Sequence, residues 1–140
     1  MSRRSRAREV VLQVIYADDI NPRRDLVEAD DFVNRRLLGD PQLVEFARSL
    51  VAGVRRNRPE LDEILRTRAE NWSLERMGAT DRNVLRLGAY EILFSDTPGR
   101  VAINEAVELA KRYGTRQSAQ FVNGILDRIL NAGRQPKSED

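Results

Sequence analysis

Between residues 98 and 130 apolar side chains recur at the helical interval almost without a break, and such a stretch can fold into little except a helical hairpin. Ile103, Ala106, Val107 and Ala110 follow the i, i+3, i+4, i+7 rule of one amphipathic helix. Lys111 and Arg112 stand in its last turn and Gly114 just past it, which are stop signals. Phe121, Val122, Ile125, Leu126, Ile129 and Leu130 repeat the spacing, with a start anywhere from Thr115 to Ser118. Gly114 supplies the turn between the two helices. Three polar residues interrupt the apolar pattern. Asn104 and Glu105 fall near the start of the first helix and Asn123 falls inside the second. Glu105 suits the positive end of the helix dipole, and Asn123 is of a type that satisfies a buried neighbour; a functional role is the alternative for each.

The rest of the chain carries the same period. Ala7, Val10, Val11, Val14 and Ile15 form a core stripe that Ser2 or Ser5 can cap. Asp18, Asp19, Asn21 and Pro22 predict a turn, and Leu26, Val27, Phe32, Val33, Leu37 and Leu38 then predict one helix or two short ones, stopping at Gly39-Asp40-Pro41. Leu43, Phe46, Ala47, Leu50, Val51 and Val54 make a further stripe with Pro41 in its first turn. Pro59 is expected to break that helix. Arg55, Arg56 and Arg58 just before it fit the negative end of the dipole. Leu61, Ile64 and Leu65 then begin a short helix toward Trp72, which reads as a large core anchor. Thr80 or Asp81 is placed to cap a central helix in which 84–94 is apolar on nearly every side, the mark of a helix buried by several neighbours. Gly88 and Ala89 would allow another helix close, and Arg86, Tyr90 and Glu91 must lie at a rim or be paired. No period-two run competes. The expectation is an all-α protein of about seven helices, with one domain over 1–132 and a polar, disordered tail over 133–140.

Composition narrows the chemistry. The chain has no cysteine and no histidine, so thiol nucleophiles, imidazole bases and the usual zinc sites are excluded. No phosphate-binding glycine loop, nucleophile elbow or HExxH motif is present. The acidic pairs, Glu105 with Glu108 and Glu60 with Asp62 and Glu63, read as solvated surface rather than acid–base catalysts. The chain is therefore expected to be a binding protein, not an enzyme, and to need no cofactor or metal. No apolar run reaches membrane length, and the basic N-terminus leads into an amphipathic segment rather than a secretory signal, so a cytoplasmic location is expected. Net charge is +2, but nearly all of the 24 basic residues are arginine. Arg3, Arg4, Arg6 and Arg8 fall within six residues with no acid before Glu9. Two readings fit them: a solvated terminus, or an arginine arm for nucleic-acid phosphates. Tyr16, at the end of the same stretch, also reads as an ordinary residue of the core edge.

Three stretches carry a family resemblance. VAINEAVELAKRYG at 101–114 followed by FVNGILD at 121–127 resembles the signature of the bacterial NusB transcription antitermination factors. Arg6-Ala7-Arg8-Glu9 with Leu12, Gln13 and Tyr16 resembles the family's first helix, and DRNVLRLGAYE at 81–91 its central helix. The resemblance covers most of the chain, apart from 17–40. It implies two packed three-helix subbundles. It also implies binding, together with the ribosomal protein NusE, to the boxA element of nascent ribosomal RNA transcripts, in a complex with other Nus factors and RNA polymerase that suppresses premature termination. The residues it implies for RNA contact are Arg3, Arg4, Arg6 and Arg8, then Tyr16, Asp81 and Arg82, and finally Gln117 and Phe121. Many relatives carry an acid where Gln117 stands. Two other classes are compatible with the residues: a NusB-like accessory domain of an RNA methyltransferase, and a helical module that binds only protein.

Overall fold

The computed structural model describes residues 2–132; the expected tail at 133–140 lies outside the described residues. Among them are six α-helices, one 3₁₀ turn (Leu74–Arg76) and no strand. The helices are α1 (Arg3–Ile20), α2 (Leu26–Arg36), α3 (Pro41–Arg68), α4 (Ala79–Phe94), α5 (Gly99–Tyr113) and α6 (Ser118–Asn131). The all-α expectation holds, though the chain is partitioned differently. It divides into two compact units, one ending at Arg56 and the other beginning at Asn57.

The expected break at Pro59 does not occur, because α3 passes through it as a single helix of 28 residues. An interior proline costs about 3 kcal/mol or more. Leu50, Val54, Leu61 and Leu65 lie before and after it at helical intervals, and each is at most 2% exposed. Each such side chain stabilises by about 1.5–3 kcal/mol when buried, so the continuous apolar line outweighs the local penalty. The turn expected at Asp18 begins three residues later. Asp18 accepts both Nε and Nη2 of Arg55, at 2.7 and 3.0 Å, from within α1, and Asn21 ends the helix. The region after it forms one helix, not two. Asp25 caps α2 by accepting from the Val27 amide at 2.8 Å, and Ala29, Val33 and Leu37 are its buried residues and exit. That exit is unusual. Leu38 stands in the left-handed region at φ 55°, ahead of Gly39 at 68°, and the Gly39 amide donates back to the Asn34 carbonyl at 2.9 Å. This is the six-to-one bond of a helix stop whose left-handed position is ordinarily glycine.

In the second unit α4 packs against both α5 and α6, which also pack on each other. Leu85, Ile92, Ile103 and Leu126 are fully buried there. Gly88 permits the approach: a Cβ on it would lie 2.6 Å from Leu126 Cδ1 and 3.3 Å from Ala106 Cβ. The polar exceptions on α4 are paired. Arg86, 3% exposed, donates to both oxygens of Asp62 at 2.7 and 3.0 Å and to Asn83 Oδ1 at 3.0 Å. Glu91 Oε1 accepts from Thr97 Oγ1 at 2.8 Å, and Tyr90 stacks on Phe94. The helix begins at Ala79 behind Gly78, earlier than the Thr80 or Asp81 start expected from side-chain capping, since Gly78 O already accepts from the Arg82 amide at 3.0 Å. Asn123 and Asn104 are both exposed, so Asn123 serves no buried neighbour.

Candidate nucleic-acid interface

The residues implied for RNA contact fall into two groups, one in each unit. In the first unit Ser2 caps α1, its Oγ accepting from the Ser5 amide at 3.1 Å, and this fixes the first turn that carries the arginines. Arg3 and Arg6 are exposed and line an open concavity of about 1010 Å³ together with Arg36, Leu38 and Gly39. Arg3 pairs with Asp40. The Asp40 carboxyl sits below its ordinary range, mainly because the Leu43 amide at the start of α3 donates to it, with Arg3 adding to the effect. Arg6 has no carboxylate partner among the described residues, which leaves its guanidinium open to an anion. Arg36 donates to Gln13 Oε1 at 2.9 Å and lies over the Phe32 ring.

Arg4 and Arg8 behave differently from that pair. Four residues apart on α1, both place their guanidinium carbon over the Phe46 ring, at 4.5 and 5.2 Å. Arg4 is exposed, whereas Arg8 is 4% exposed. A solvated terminus and an arginine arm both require exposed side chains, and Arg8 fits neither, because it is part of the packing of the first unit. Stacking on an aromatic face suits the weakly hydrated guanidinium and stabilises by roughly 0.5–2 kcal/mol as it is desolvated. In the sequence Phe46 is indistinguishable from the core residues of the α3 stripe on which it falls. Tyr16 is 39% exposed and lines neither of the concavities that hold the other residues.

The second group surrounds a cavity of about 290 Å³ whose lining includes Trp72, Arg76, Asp81, Gln117 and Phe121. Asp81 stands in the first turn of α4, Gln117 immediately precedes α6, and Phe121 lies half-buried in the first turn of α6. The loop before α6 is fixed by the Ser118 hydroxyl, which accepts from the Thr115 amide at 2.8 Å. Trp72 meets Phe121 edge to face, with ring centroids 5.4 Å apart and planes 75° apart. It is 58% exposed, so the core-anchor reading of Trp72 is wrong. The chain has already left α3 at Arg68, and buried Ala69, Leu74 and Met77 anchor the connection instead. A sequence signal existed, for Trp72 is flanked by polar Asn71 and Ser73 rather than set in a stripe. Arg82 is outside this lining. Its Nη1 donates to the carbonyls of Met77 at 3.0 Å and Leu74 at 3.3 Å, which clamps the 3₁₀ turn.

No group of three or more acidic residues among those described is arranged to hold a metal ion, and no described helix is long and apolar enough to cross a membrane. The arrangement is that of an all-helical binding module with cationic and aromatic surfaces. A model of the NusB family matches residues 5–131, and the chain belongs to that family. It is 42% identical to the transcription antitermination protein NusB of Myxococcus xanthus over 97% of this chain and all of that relative. It is 44% identical to the protein of the same name from Desulfitobacterium hafniense, over 94% of this chain and 90% of the relative. The fold matches T. maritima NusB with a TM-score of 0.83 at 39% identity, covering 98% of this chain and 95% of that one. It also matches a chain in a crystal structure of the antitermination factors NusB and NusE in complex with double-stranded RNA. There the TM-score is 0.82 at 31% identity, over 94% of this chain and 98% of that one.

Proposed function

We propose that this chain is a non-enzymatic transcription antitermination factor of the cytoplasm. In this reading residues 1–132 act as a single RNA-binding domain, joining NusE on the boxA element of nascent ribosomal RNA. The pair then works with other Nus factors and RNA polymerase to avoid premature termination. Family membership supports this reading, as does the likeness to a structure of NusB and NusE with RNA. The observation that carries it is the opening turn of α1, where exposed Arg3, Arg4 and Arg6 share a short stretch and Arg6 meets no carboxylate among the described residues. Guanidinium groups so placed suit the phosphates of a single strand, whose unstacked bases are then read by stacking and edge contacts.

Within the proposed contact set the roles differ. Arg4 and Arg6 face phosphate, Arg3 adds to them only where a phosphate displaces it from Asp40, and Arg8 fixes Phe46 beneath Arg4. Tyr16 offers a partly exposed ring on the same helix. Asp81, Gln117 and Phe121 form a second contact, and Arg82 holds the turn beside it. The test is an RNA-binding assay with a boxA-like RNA and a scrambled control, each with and without purified NusE. Tighter binding of the boxA-like RNA when NusE is present is the expected result. Equal affinity for both RNAs, with NusE making no difference, would overturn the proposal.

A further inference from the structure

We infer that Asp40 is an intramolecular competitor for phosphate, which holds Arg3 back from nucleic acid and so limits the affinity of the free chain for arbitrary polyanions. This deepens the RNA-binding reading above and rests on it. Arg3, Arg6 and Arg36 line one open concavity, and Asp40 is the only acidic residue in that lining. Arg6 has no carboxylate partner among the described residues, and Arg36 donates to the neutral amide of Gln13. Of the three, Arg3 is the one that an acid closes, although its side chain is 66% exposed.

The two oxygens of Asp40 have separate work. Oδ1 caps α3, accepting from the Gln42 amide at 3.1 Å and the Leu43 amide at 3.3 Å. Oδ2 accepts from Nη2 of Arg3. A cap needs one acceptor oxygen, and asparagine or serine supplies it about as well as aspartate. The second oxygen is surplus to capping and serves Arg3. Amides at a helix start and a guanidinium are also the donors that a phosphate takes, so the carboxylate occupies a phosphate's partners. Its position is fixed by the turn before it. Leu38 and Gly39 are both left-handed, at φ 55° and 68°, and the Asp40 amide donates to the Leu37 carbonyl at 3.1 Å. A phosphate therefore gains Arg3 only by displacing a carboxylate anchored on the backbone, and it meets the repulsion of that carboxylate as well.

The division of labour between the two oxygens supplies the test. Asp40→Asn keeps an oxygen for the cap and loses the acceptor for Arg3; Asp40→Ser does the same with a shorter side chain. The affinity of the full chain for a short oligouridylate would be measured across a salt series. The set is wild type, both Asp40 variants, Arg3→Ala and the Arg3→Ala/Asp40→Asn double variant. Both Asp40 variants are expected to bind about three- to fivefold more tightly at low salt, the scale of one exposed ion pair given up. Their log–log slope should steepen by roughly 0.7, one further phosphate contact. Arg3→Ala alone should keep the wild-type slope, and in the double variant it should cancel the gain. A residue that only caps α3 would move neither slope nor affinity. Affinity and slope no greater than wild type in both Asp40 variants would overturn the inference and leave the RNA-binding reading standing. So would a gain that survives Arg3→Ala, or a slope that falls by about 0.7 in Arg3→Ala alone. No RNA binding by any variant at any salt, even with NusE present, would overturn both.

Discussion

The opening turn of α1 and the first half of α4 are both rich in arginine, yet the same side chain has opposite work in the two places. On α1, Arg4 and Arg6 are exposed, and Arg6 faces an open concavity without an acid partner among the described residues. On α4, Arg86 is closed on by Asp62 and Asn83, and Arg82 by two backbone carbonyls. A guanidinium that already has fixed acceptors has little to offer a phosphate. What distinguishes a nucleic-acid arginine from a structural one is thus its surroundings, not its place in a basic stretch. Arg8 makes the point within α1 itself, since it follows the exposed arginines in sequence and is buried on Phe46.

The contrast can be broken most severely on the α4 side. Asp62→Ala would leave Arg86 buried without its carboxylate, and removal of one partner of a buried pair costs about 3–5 kcal/mol. A chemical-denaturation midpoint equal to wild type would show that Arg86 is not held as described. Leu126→Ala and Leu85→Ala remove fully buried side chains from the same unit, with an expected cost of about 2–5 kcal/mol each. These two values set the scale for Asp62→Ala; unchanged midpoints would mean that the core has been misplaced. On the α1 side, Phe46→Leu keeps an apolar residue but removes the ring under Arg4 and Arg8. The expected loss is about 1–2 kcal/mol, and calorimetry showing no loss would return Arg8 to the projecting set.

The smallest expected effect is a pH dependence. Arg66 Nη2 donates to Glu75 Oε2 at 2.6 Å and, with the backbone and Ser73, lowers the Glu75 carboxyl from its ordinary 4.5 to about 2. A carboxyl lowered on folding stabilises the protein above its unfolded pKa. That contribution therefore fades as pH falls from about 4.5 through 2. Because the pair is exposed to solvent, the contribution is small. Glu75→Gln should melt slightly below wild type at neutral pH and converge with it toward pH 2. A gap that stays constant across that range would contradict the assignment.

Much of the fold could be read from the chain because it is set by helical periodicity. The stripes at 7–15, 43–54, 84–94 and 121–130 supply most of the buried faces, with Leu43, Phe46, Leu93, Phe121 and Leu130 half-buried and Phe94 exposed at their margins. Pro59 does not end α3 as its local propensity predicts, since the burial of Leu61 and Leu65 favours continuation more strongly. The candidate site was legible only in part. Charge clustering at 3–8 is visible in a sequence, and the family resemblance pointed to Asp81, Gln117 and Phe121, which do line one cavity. Phe46 under two arginines, Arg8 withdrawn from the surface and Trp72 left open are consequences of tertiary packing. No spacing rule announces them.

The claim that the exposed arginines of α1 are the phosphate contacts is tested most directly by a salt series of RNA affinity. The measurement uses boxA-like RNA with NusE present, on wild type, an Arg4→Ala/Arg6→Ala double variant and Arg8→Ala. Each phosphate contact on a single strand contributes roughly 0.7 to the log–log slope, so the double variant should lose about 1.4. Arg8→Ala should keep the wild-type slope and show its effect in thermal stability. Parallel lines for wild type and the double variant, or a slope lost in Arg8→Ala alone, would contradict the account.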